Sequence, residues 1–287
     1  MEVRGAYWCC LVTRDGSETI RETLDSIISQ PLPPEFIVVV DDGSTDQTRA
    51  IAESESKAFP GIYVVSTSSK TRDIRRVPLL LNLGISKSEE VCAGGPTPRY
   101  MMVSGDDNWL APDYASSIVA RMDADPRLAV ASGSWLGGAG RSGQMPHGGG
   151  RFVRADFMRS IGGRYPVAYG WETWLLYKAM QRGLRVSNFG DLRYRHLRPY
   201  VPRNLFGWGR AMFSLGFPTV FVLLRFGINF LWASRGTQSR GASVKMLAGY
   251  FSAKLNPAPL RPNLISDDGL KAFVRRYSMA RLTRAPW

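Results

Sequence analysis

Short, continuous apolar runs alternate with amphipathic segments along the first part of the chain, and this alternation limits the available folds more than any other feature. The runs lie at 7–12, 36–40, 62–65 and 100–103. A continuous apolar run of this length is typical of a strand buried on both faces of a sheet. Segments with helical periodicity separate the runs, at 17–28, 48–58 and 79–85. The pattern predicts an α/β fold with a mostly parallel central sheet.

Polar side chains follow three of these predicted strands. Thr13 ends the first, Asp42 follows the second, and Asp106, Asp107 and Asn108 follow the fourth. Ligands of open α/β sheets bind beyond the carboxyl ends of the strands. Burying adjacent carboxylates at the end of a strand costs free energy unless a cation compensates their charge. A divalent metal ion that also binds a phosphorylated ligand is a suitable cation. The alternative is a surface turn that caps a helix near Pro112.

Two later stretches complete the predicted catalytic part. The segment 186–195 predicts a final strand, with His196 at its end. The glycine-rich segment 133–150 predicts either a mobile loop over a site or a plain flexible surface loop.

The motifs at the second and fourth strand ends resemble a known family. Phe-Ile-Val-Val-Val-Asp-Asp-Gly-Ser-Thr-Asp at 36–46 and Gly-Asp-Asp-Asn-Trp-Leu-Ala-Pro-Asp at 105–113 resemble the inverting family 2 glycosyltransferases of the GT-A fold. The resemblance covers roughly residues 6 to 200 and implies an enzyme that moves a hexose from a nucleotide-diphosphate sugar. It also implies a divalent metal, Mn²⁺ or Mg²⁺.

The resemblance implies roles for individual donor-site residues. Asp42 matches the acid that binds the nucleotide base, and Thr13 matches the polar residue that lines the same pocket. Asp15 stands where some uridine-specific members have a stacking tyrosine, so a base other than uracil is favoured, with GDP-mannose as the suggested donor.

Asp107 matches the acid that contacts metal and diphosphate, and Asp106 lies on the sugar side as a donor-binding and catalytic residue. Asn108 replaces the usual third acid. His196 is in a position from which it can reach the metal or the diphosphate; the alternative is a half-buried histidine at a strand end.

The segment Gly-Trp-Glu-Thr-Trp at 170–174 resembles the family's Gly-Trp-Glu-Asp-Trp, in which the aspartate is the general base. Thr173 takes that position here, and Glu172 precedes it. An inverting transfer to a hydroxyl needs a base, whereas a phosphate acceptor is already an anion and needs none. Either Glu172 is the base or the acceptor requires none; a third possibility is an acid that favours the start of a helix. We assign acceptor contact to Trp171.

Trp208 is the second predicted acceptor contact. The segment 204–210 weakly resembles the Gln-x-x-Arg-Trp motif of cellulose-synthase-like members, with Asn204 and Gly207 in place of the Gln and Arg. That resemblance implies stacking on an acceptor sugar, although Trp208 could equally anchor the chain at a membrane interface.

Charge divides the sequence at about residue 193. The whole chain carries a formal net charge of +13, and from Arg193 onward there are sixteen basic residues and only two acidic ones. We expect a catalytic domain at 1–199 and a basic helical region at 200–287 that associates with an anionic membrane surface. The apolar segment 215–232 would dip into one leaflet, with Arg225 reaching back to the headgroups.

These features predict a lipid-linked acceptor, either a dolichol or polyprenyl phosphate or a glycan attached to one. No signal-peptide pattern begins the sequence, so the catalytic domain is expected to be cytoplasmic, and three cysteines give no disulfide framework. Two rivals remain: a nucleic-acid-binding protein that uses the basic region, although no binding motif is present, and a non-catalytic module that binds sugar nucleotides.

Overall fold

The computed structural model describes residues 6–69, 76–93, 95–137, 145–199, 205–231 and 240–284. They form two units, which are described separately. The first contains the described residues of Met1–Tyr165 and Arg182–Tyr200, and the second those of Pro166–Gln181 and Val201–Trp287.

The first unit holds the sheet and five helices in its described residues. The strands are β1 (Tyr7–Thr13), β2 (Ile37–Asp41), β3 (Ile62–Ser66), β4 (Tyr100–Gly105), β5 (Asn108–Leu110), β6 (Leu128–Trp135), β7 (Arg151–Arg154) and β8 (Arg185–His196). The helices are α1 (Ile20–Ile28), α2 (Thr48–Ala58), α3 (Arg76–Val91), α4 (Tyr114–Ala124) and α5 (Ala155–Ser160).

The eight strands of the described chain form one sheet in the order β3-β2-β1-β4-β7-β6-β8-β5. Strands β3, β2, β1 and β4 run parallel, as does the β6–β8 pair. Strand β7 is antiparallel to both of its neighbours, and β5 is antiparallel to β8. The predicted α/β fold with a mostly parallel sheet is confirmed.

The sheet is stabilised by apolar side chains on both faces. Every residue of β2 is buried, and three consecutive valines occupy its centre. Helix α3 approaches the sheet closely at Gly84, where an added Cβ would lie 2.4 Å from Cys10 Sγ. Glycine therefore allows this helix to pack directly on β1, and the two buried cysteines act as core residues.

One prediction about this unit needs correction. Strand β6 includes Gly133 to Trp135, which the sequence predicts to begin a loop. Strand β7 has no counterpart among the strands predicted from the sequence. The first helix begins at Ile20, and its N-cap residue, Thr19, makes no side-chain cap hydrogen bond.

The second unit is helical in its described residues. Its elements are α6 (Trp171–Gln181), α7 (Leu205–Ser214), α8 (Thr219–Leu231), α9 (Arg240–Leu255), a 3₁₀ helix (Ala258–Asn263) and α10 (Asp268–Arg284). The apolar segment 215–232 is interrupted, because Gly216 adopts φ of +79° between α7 and α8; Trp232 lies outside the described residues. No helix in the described part of the chain is long and apolar enough to cross a membrane.

Helices α7 and α9 pack backbone to backbone. An added Cβ on Gly209 would lie 2.0 Å from Met246 O, and one on Gly249 would lie 2.0 Å from Phe206 O. Side chains at either position would separate the helices, so the two glycines set this distance.

Candidate active site at the strand ends

Asp106 and Thr13 meet because β1 and β4 are parallel neighbours in register. Val12 lies opposite Gly105, so the next residue of each chain segment reaches the same edge of the sheet. Thr13 Oγ1 donates a hydrogen bond of 2.5 Å to Asp106 Oδ2. Arg198, just beyond β8, donates to Asp106 Oδ1. Both carboxylate oxygens of this buried aspartate therefore have a donor.

The surroundings of Asp106 act on its pKa in opposite directions. Burial raises the pKa, and the negative charge of Asp107 adds to the effect. The hydrogen bond from Thr13 and the guanidinium of Arg198 work against the rise, yet the pKa stays above its ordinary value. The carboxylate is thus maintained in a buried position by two specific partners.

Asp107 is paired with His196 across the β5–β8 ladder. Asn108 lies opposite His196, and Leu197 N donates to Asp107 O at 2.7 Å. This register brings His196 Nδ1 to 3.5 Å from Asp107 Oδ2. Burial alone would raise the pKa of Asp107, but the neighbouring His196 and Arg198 hold it below its ordinary value.

Asn108 makes its side-chain hydrogen bond to β4. The residue is only 2% exposed, and its Nδ2 donates a hydrogen bond to Ser104 Oγ at 3.2 Å. Its Oδ1 is buried without a hydrogen-bond donor. A carboxylate here would add a second buried negative charge close to Asp106, so an amide is suitable at this position.

Asp42, at the end of β2, is held by two arginines. Arg76 Nη2 lies 2.6 Å from Asp42 Oδ1 and its Nε lies 3.0 Å from both oxygens, while Arg14 Nη1 lies 3.5 Å from Oδ2. Thr67 also donates to Oδ1. Burial alone would raise the pKa of Asp42, but Arg76, Thr67 and Arg14 together hold it below its usual range. Asp42 N donates to Thr13 O at 2.9 Å, which connects this cluster to the first strand end.

The loops after β1 and β2 are bonded to each other. Asp15 adopts φ of +49°, accepts a hydrogen bond from Thr45 N at 2.8 Å and donates from its own N to Ser44 Oγ at 2.9 Å. Gly16 then passes so close to Asp106 that an added Cβ would lie 2.1 Å from Oδ2. A glycine at position 16 is what allows the loop to cover this carboxylate.

The residues present fit a divalent metal that is shared with a phosphorylated ligand. Asp107, in the turn between β4 and β5, and His196, at the end of β8, would supply one oxygen and one nitrogen donor. No group of three or more metal-ligating side chains occurs among the described residues. Two protein ligands with substrate phosphates are a common way to hold Mg²⁺ and similar ions.

The sequence profile described as glycosyl transferase family 2 matches residues 9–183. The chain belongs to this family. The chain is therefore a transferase enzyme. The matched range includes the four strand-end residues of the candidate site, Thr13, Asp42, Asp106 and Asp107. No curated protein matches the sequence significantly.

Solved glycosyltransferases have a similar fold. Mannosyltransferase PcManGT from Pyrobaculum calidifontis, in complex with GDP-Man and Mn²⁺, has a TM-score of 0.56 at 16% identity, covering 100% of this chain and 77% of that one. S. aureus TarS 1–349 with UDP-GlcNAc gives 0.53 at 16% identity, covering 85% and 71%. GalNAc-T7 with UDP, GalNAc and Mn²⁺ gives 0.59 at 14% identity, covering 100% and 59%.

The remaining residues predicted to contact the acceptor or act as the base belong to the second unit. Trp171 and Glu172 occupy the first turn of α6, and all the residues that precede Trp174 in this helix are partly exposed. Trp208 lies on α7, and the guanidinium of Arg210 on the same helix stacks on the Phe206 ring at 4.6 Å. Asn204 lies outside the described residues.

The arginines of the candidate site are not among the residues predicted from the sequence. Arg198 was not identified, although it lies two residues after His196 on the same strand end. Arg14 and Arg76 were not assigned to Asp42. Arg14 and Arg198 follow predicted strand ends within one or two residues, which was the available signal because buried acids need counter-charges. Arg76 lies ten residues after β3 and gave no such signal.

Proposed function

We propose that this enzyme transfers a hexose with inversion from a nucleotide-diphosphate sugar to a lipid-linked acceptor at a membrane surface. The proposal rests mainly on one observation: Asp106, Asp107 and His196 lie together at the carboxyl ends of β4 and β8, with Thr13 and Arg198 beside them. This arrangement offers oxygen and nitrogen donors and positive charge to a diphosphate, and Asp106 offers a carboxylate to the sugar.

The donor base would bind at Asp42. Its carboxylate can accept hydrogen bonds from the N–H groups of a base, while Arg76 can donate to a base carbonyl. We propose GDP-mannose as the donor, because Asp15 replaces a stacking tyrosine and an enzyme of the same fold was solved with GDP-Man.

Asp107 and His196 would hold Mn²⁺ or Mg²⁺. When bound, the metal would neutralise charge on the diphosphate leaving group. Arg198 would keep Asp106 ionised and contribute a fixed positive charge to the same edge. Thr13 would orient the Asp106 carboxylate toward the sugar.

The acceptor would be a dolichol or polyprenyl phosphate, or a glycan on one. Its oxygen forms a bond to the anomeric carbon while the bond from that carbon to the diphosphate breaks, and the electron pair leaves with the nucleoside diphosphate. A hydroxyl acceptor would lose its proton to Glu172, whereas a phosphate acceptor would need no base. Trp171 and Trp208 would contact the acceptor.

The membrane surface is part of this proposal. The sixteen basic residues from Arg193 onward would attract anionic lipid, with the catalytic domain, proposed as 1–199, on the cytoplasmic side and the basic region, 200–287, against the bilayer.

The test combines donor binding with product analysis. Calorimetry would measure GDP and UDP affinity with Mn²⁺ and with a chelator, for the full chain, Asp107→Ala and the control Asp113→Ala, which removes an exposed carboxylate without a side-chain cap hydrogen bond. We expect metal to strengthen binding in wild type and control but not in Asp107→Ala. Mass spectrometry would then follow transfer from GDP-mannose to polyprenyl phosphate in vesicles.

A second variant separates the two acceptor classes. Glu172→Gln should lower turnover about 100-fold or more with a hydroxyl acceptor and have little effect with a phosphate acceptor. Equal metal-independent nucleotide binding in all the proteins, or no glycolipid product with any donor, would contradict the proposal. Nucleotide binding without any turnover would favour the non-catalytic sugar-nucleotide module instead.

A further inference from the structure

Helix α8 turns an apolar stripe away from the protein. Its members are Val220, Leu223, Leu224, Ile228 and Leu231, which are between 38% and 72% exposed. Their spacing places them on one side of the helix, and Val222, the fully buried residue of α8, lies on the opposite side. A surface helix of a globular protein normally directs such a stripe toward the core.

The orientation of α8 is fixed by contacts at its inner side. Thr219 Oγ1 lies 3.1 Å from Tyr250 OH and accepts a hydrogen bond of 2.8 Å from Lys254 Nζ. Tyr250 OH donates to Phe217 O at 2.9 Å, just before the helix begins. The fold therefore holds the stripe outward, because rotating α8 to bury it would break these bonds.

Two basic residues lie beside the stripe. Arg225 lies on α8 itself, between the stripe and the buried side, and Arg240 at the start of α9 lies 5.6 Å from the Phe230 ring. From Arg193 onward, the two acidic residues, Asp267 and Asp268, lie just before and at the start of α10. An apolar stripe flanked by cations matches the chemistry of an anionic lipid surface.

We propose that the outer face of α8, defined by the five residues of the stripe, is the surface that inserts into an anionic bilayer. The helix would lie parallel to the membrane, with the stripe among the acyl chains and Arg225 and Arg240 at the headgroups. A second copy of the chain is a poorer occupant, because it would bring two strongly basic regions together. This inference rests on the membrane association proposed above and specifies its surface.

Vesicle flotation tests the surface directly. The probe is the full chain with phosphatidylcholine vesicles or with mixed phosphatidylcholine–phosphatidylglycerol vesicles. The variant is Leu223→Ser with Leu224→Ser and Ile228→Ser. We expect wild type to float with the mixed vesicles and the variant to bind about 100-fold more weakly, since three exposed apolar side chains no longer insert.

A matched control uses exposed leucines elsewhere. Leu79→Ser with Leu83→Ser changes two similarly exposed leucines on α3 and should float like wild type. Arg225→Gln with Arg240→Gln should weaken binding to mixed vesicles and reduce its sensitivity to salt.

Several results would overturn the inference. These are flotation of the α8 variant like wild type, failure of wild type to bind either vesicle, or a wild-type dimer that the α8 variant converts to a monomer. Nucleotide affinity, measured by calorimetry on the same proteins without vesicles, should not change in the α8 variant. If the α8 variant loses membrane binding but keeps its nucleotide affinity, the loss concerns the membrane surface and not the proposed glycosyl transfer.

Discussion

The hydrogen bond from Thr13 to Asp106 allows a sharp test of how the strand-end site is stabilised. Thr13 Oγ1 lies 2.5 Å from Asp106 Oδ2, and both residues are buried. Valine has nearly the shape of threonine, and both are β-branched residues that are enriched in strands, so Thr13→Val removes the donor with little change in packing. The substitution deletes one hydrogen bond to a buried ionised group, which contributes about 1.5–3 kcal/mol. We expect the free energy of unfolding at pH 7 to fall by that amount.

The effect should depend on pH in a defined direction. Burial raises the pKa of Asp106, so ionisation of this group opposes folding as the pH rises through its folded-state pKa. The Thr13 hydrogen bond reduces this opposition, because it favours the ionised form. Without the bond, the pKa rises further and ionisation opposes folding more. The difference in the free energy of unfolding between wild type and Thr13→Val is therefore largest when the pH is above the folded-state pKa of Asp106 in both proteins. It shrinks as the pH falls through these two pKa values.

Urea unfolding, followed by tryptophan fluorescence across the range from acidic to neutral pH, would measure both effects. The matched control is Thr23→Val, because Thr23 is also buried and donates to the same residue, but to its backbone oxygen, at 2.8 Å. A neutral bond of this kind contributes about 0.5–1.5 kcal/mol and should show no such pH trend. If Thr13→Val costs no more than Thr23→Val, or costs the same at every pH, the reasoning is wrong.

Three further predictions concern the same edge of the sheet. Asn108→Asp should lower the free energy of unfolding by about 2–3 kcal/mol at neutral pH and less in acid, measured by urea unfolding, because it buries an unpaired charge. Gly16→Ala should cost about 1–3 kcal/mol by the same assay and weaken nucleotide binding in calorimetry, because its Cβ would displace Asp106. Arg76→Gln should destabilise the protein at neutral pH, and its unfolding curve should approach that of wild type as the pH falls through the lowered pKa of Asp42.

The strands that the sequence predicted well are those whose residues all face apolar surroundings. In β1, β2 and β4 almost every residue is buried, so the sequence shows an uninterrupted apolar run that ends in a polar residue. The fold class followed from these runs and is confirmed. The roles assigned to Thr13 and Asp42 stay predictions, although the register between the strands brings these residues together.

Strand β7 could not be predicted because its two arginines bond to backbone carbonyls of other segments, four and 32 positions away along the chain. Arg151 is buried, and its Nε donates to His147 O at 2.9 Å; Arg154 Nη2 donates to Met122 O at 2.5 Å. Local sequence cannot show that an arginine will meet a backbone carbonyl in this way. The same limit applies to Arg198, whose partner Asp106 is 92 positions away.

The helical region shows a different limit. The segment 215–232 is apolar enough to suggest one continuous element, but the chain turns between α7 and α8. Phe217 N bonds to Met212 O, and Gly216 takes a conformation that other residues rarely adopt. The apolar content of the segment shows that it is hydrophobic, but the position of the turn between α7 and α8 depends on Gly216 and Pro218.

The strand-end site is completed late while the chain is being synthesised. Synthesis proceeds from the N-terminus at about 5–20 residues per second, so β1, β2 and β4 leave the ribosome before β8. During that interval Asp106 lacks Arg198 and Asp107 lacks His196. Adjacent carboxylates without partners favour hydration over burial. We therefore expect a nascent chain that ends before β8 to keep this edge of the sheet open to water until His196 and Arg198 arrive.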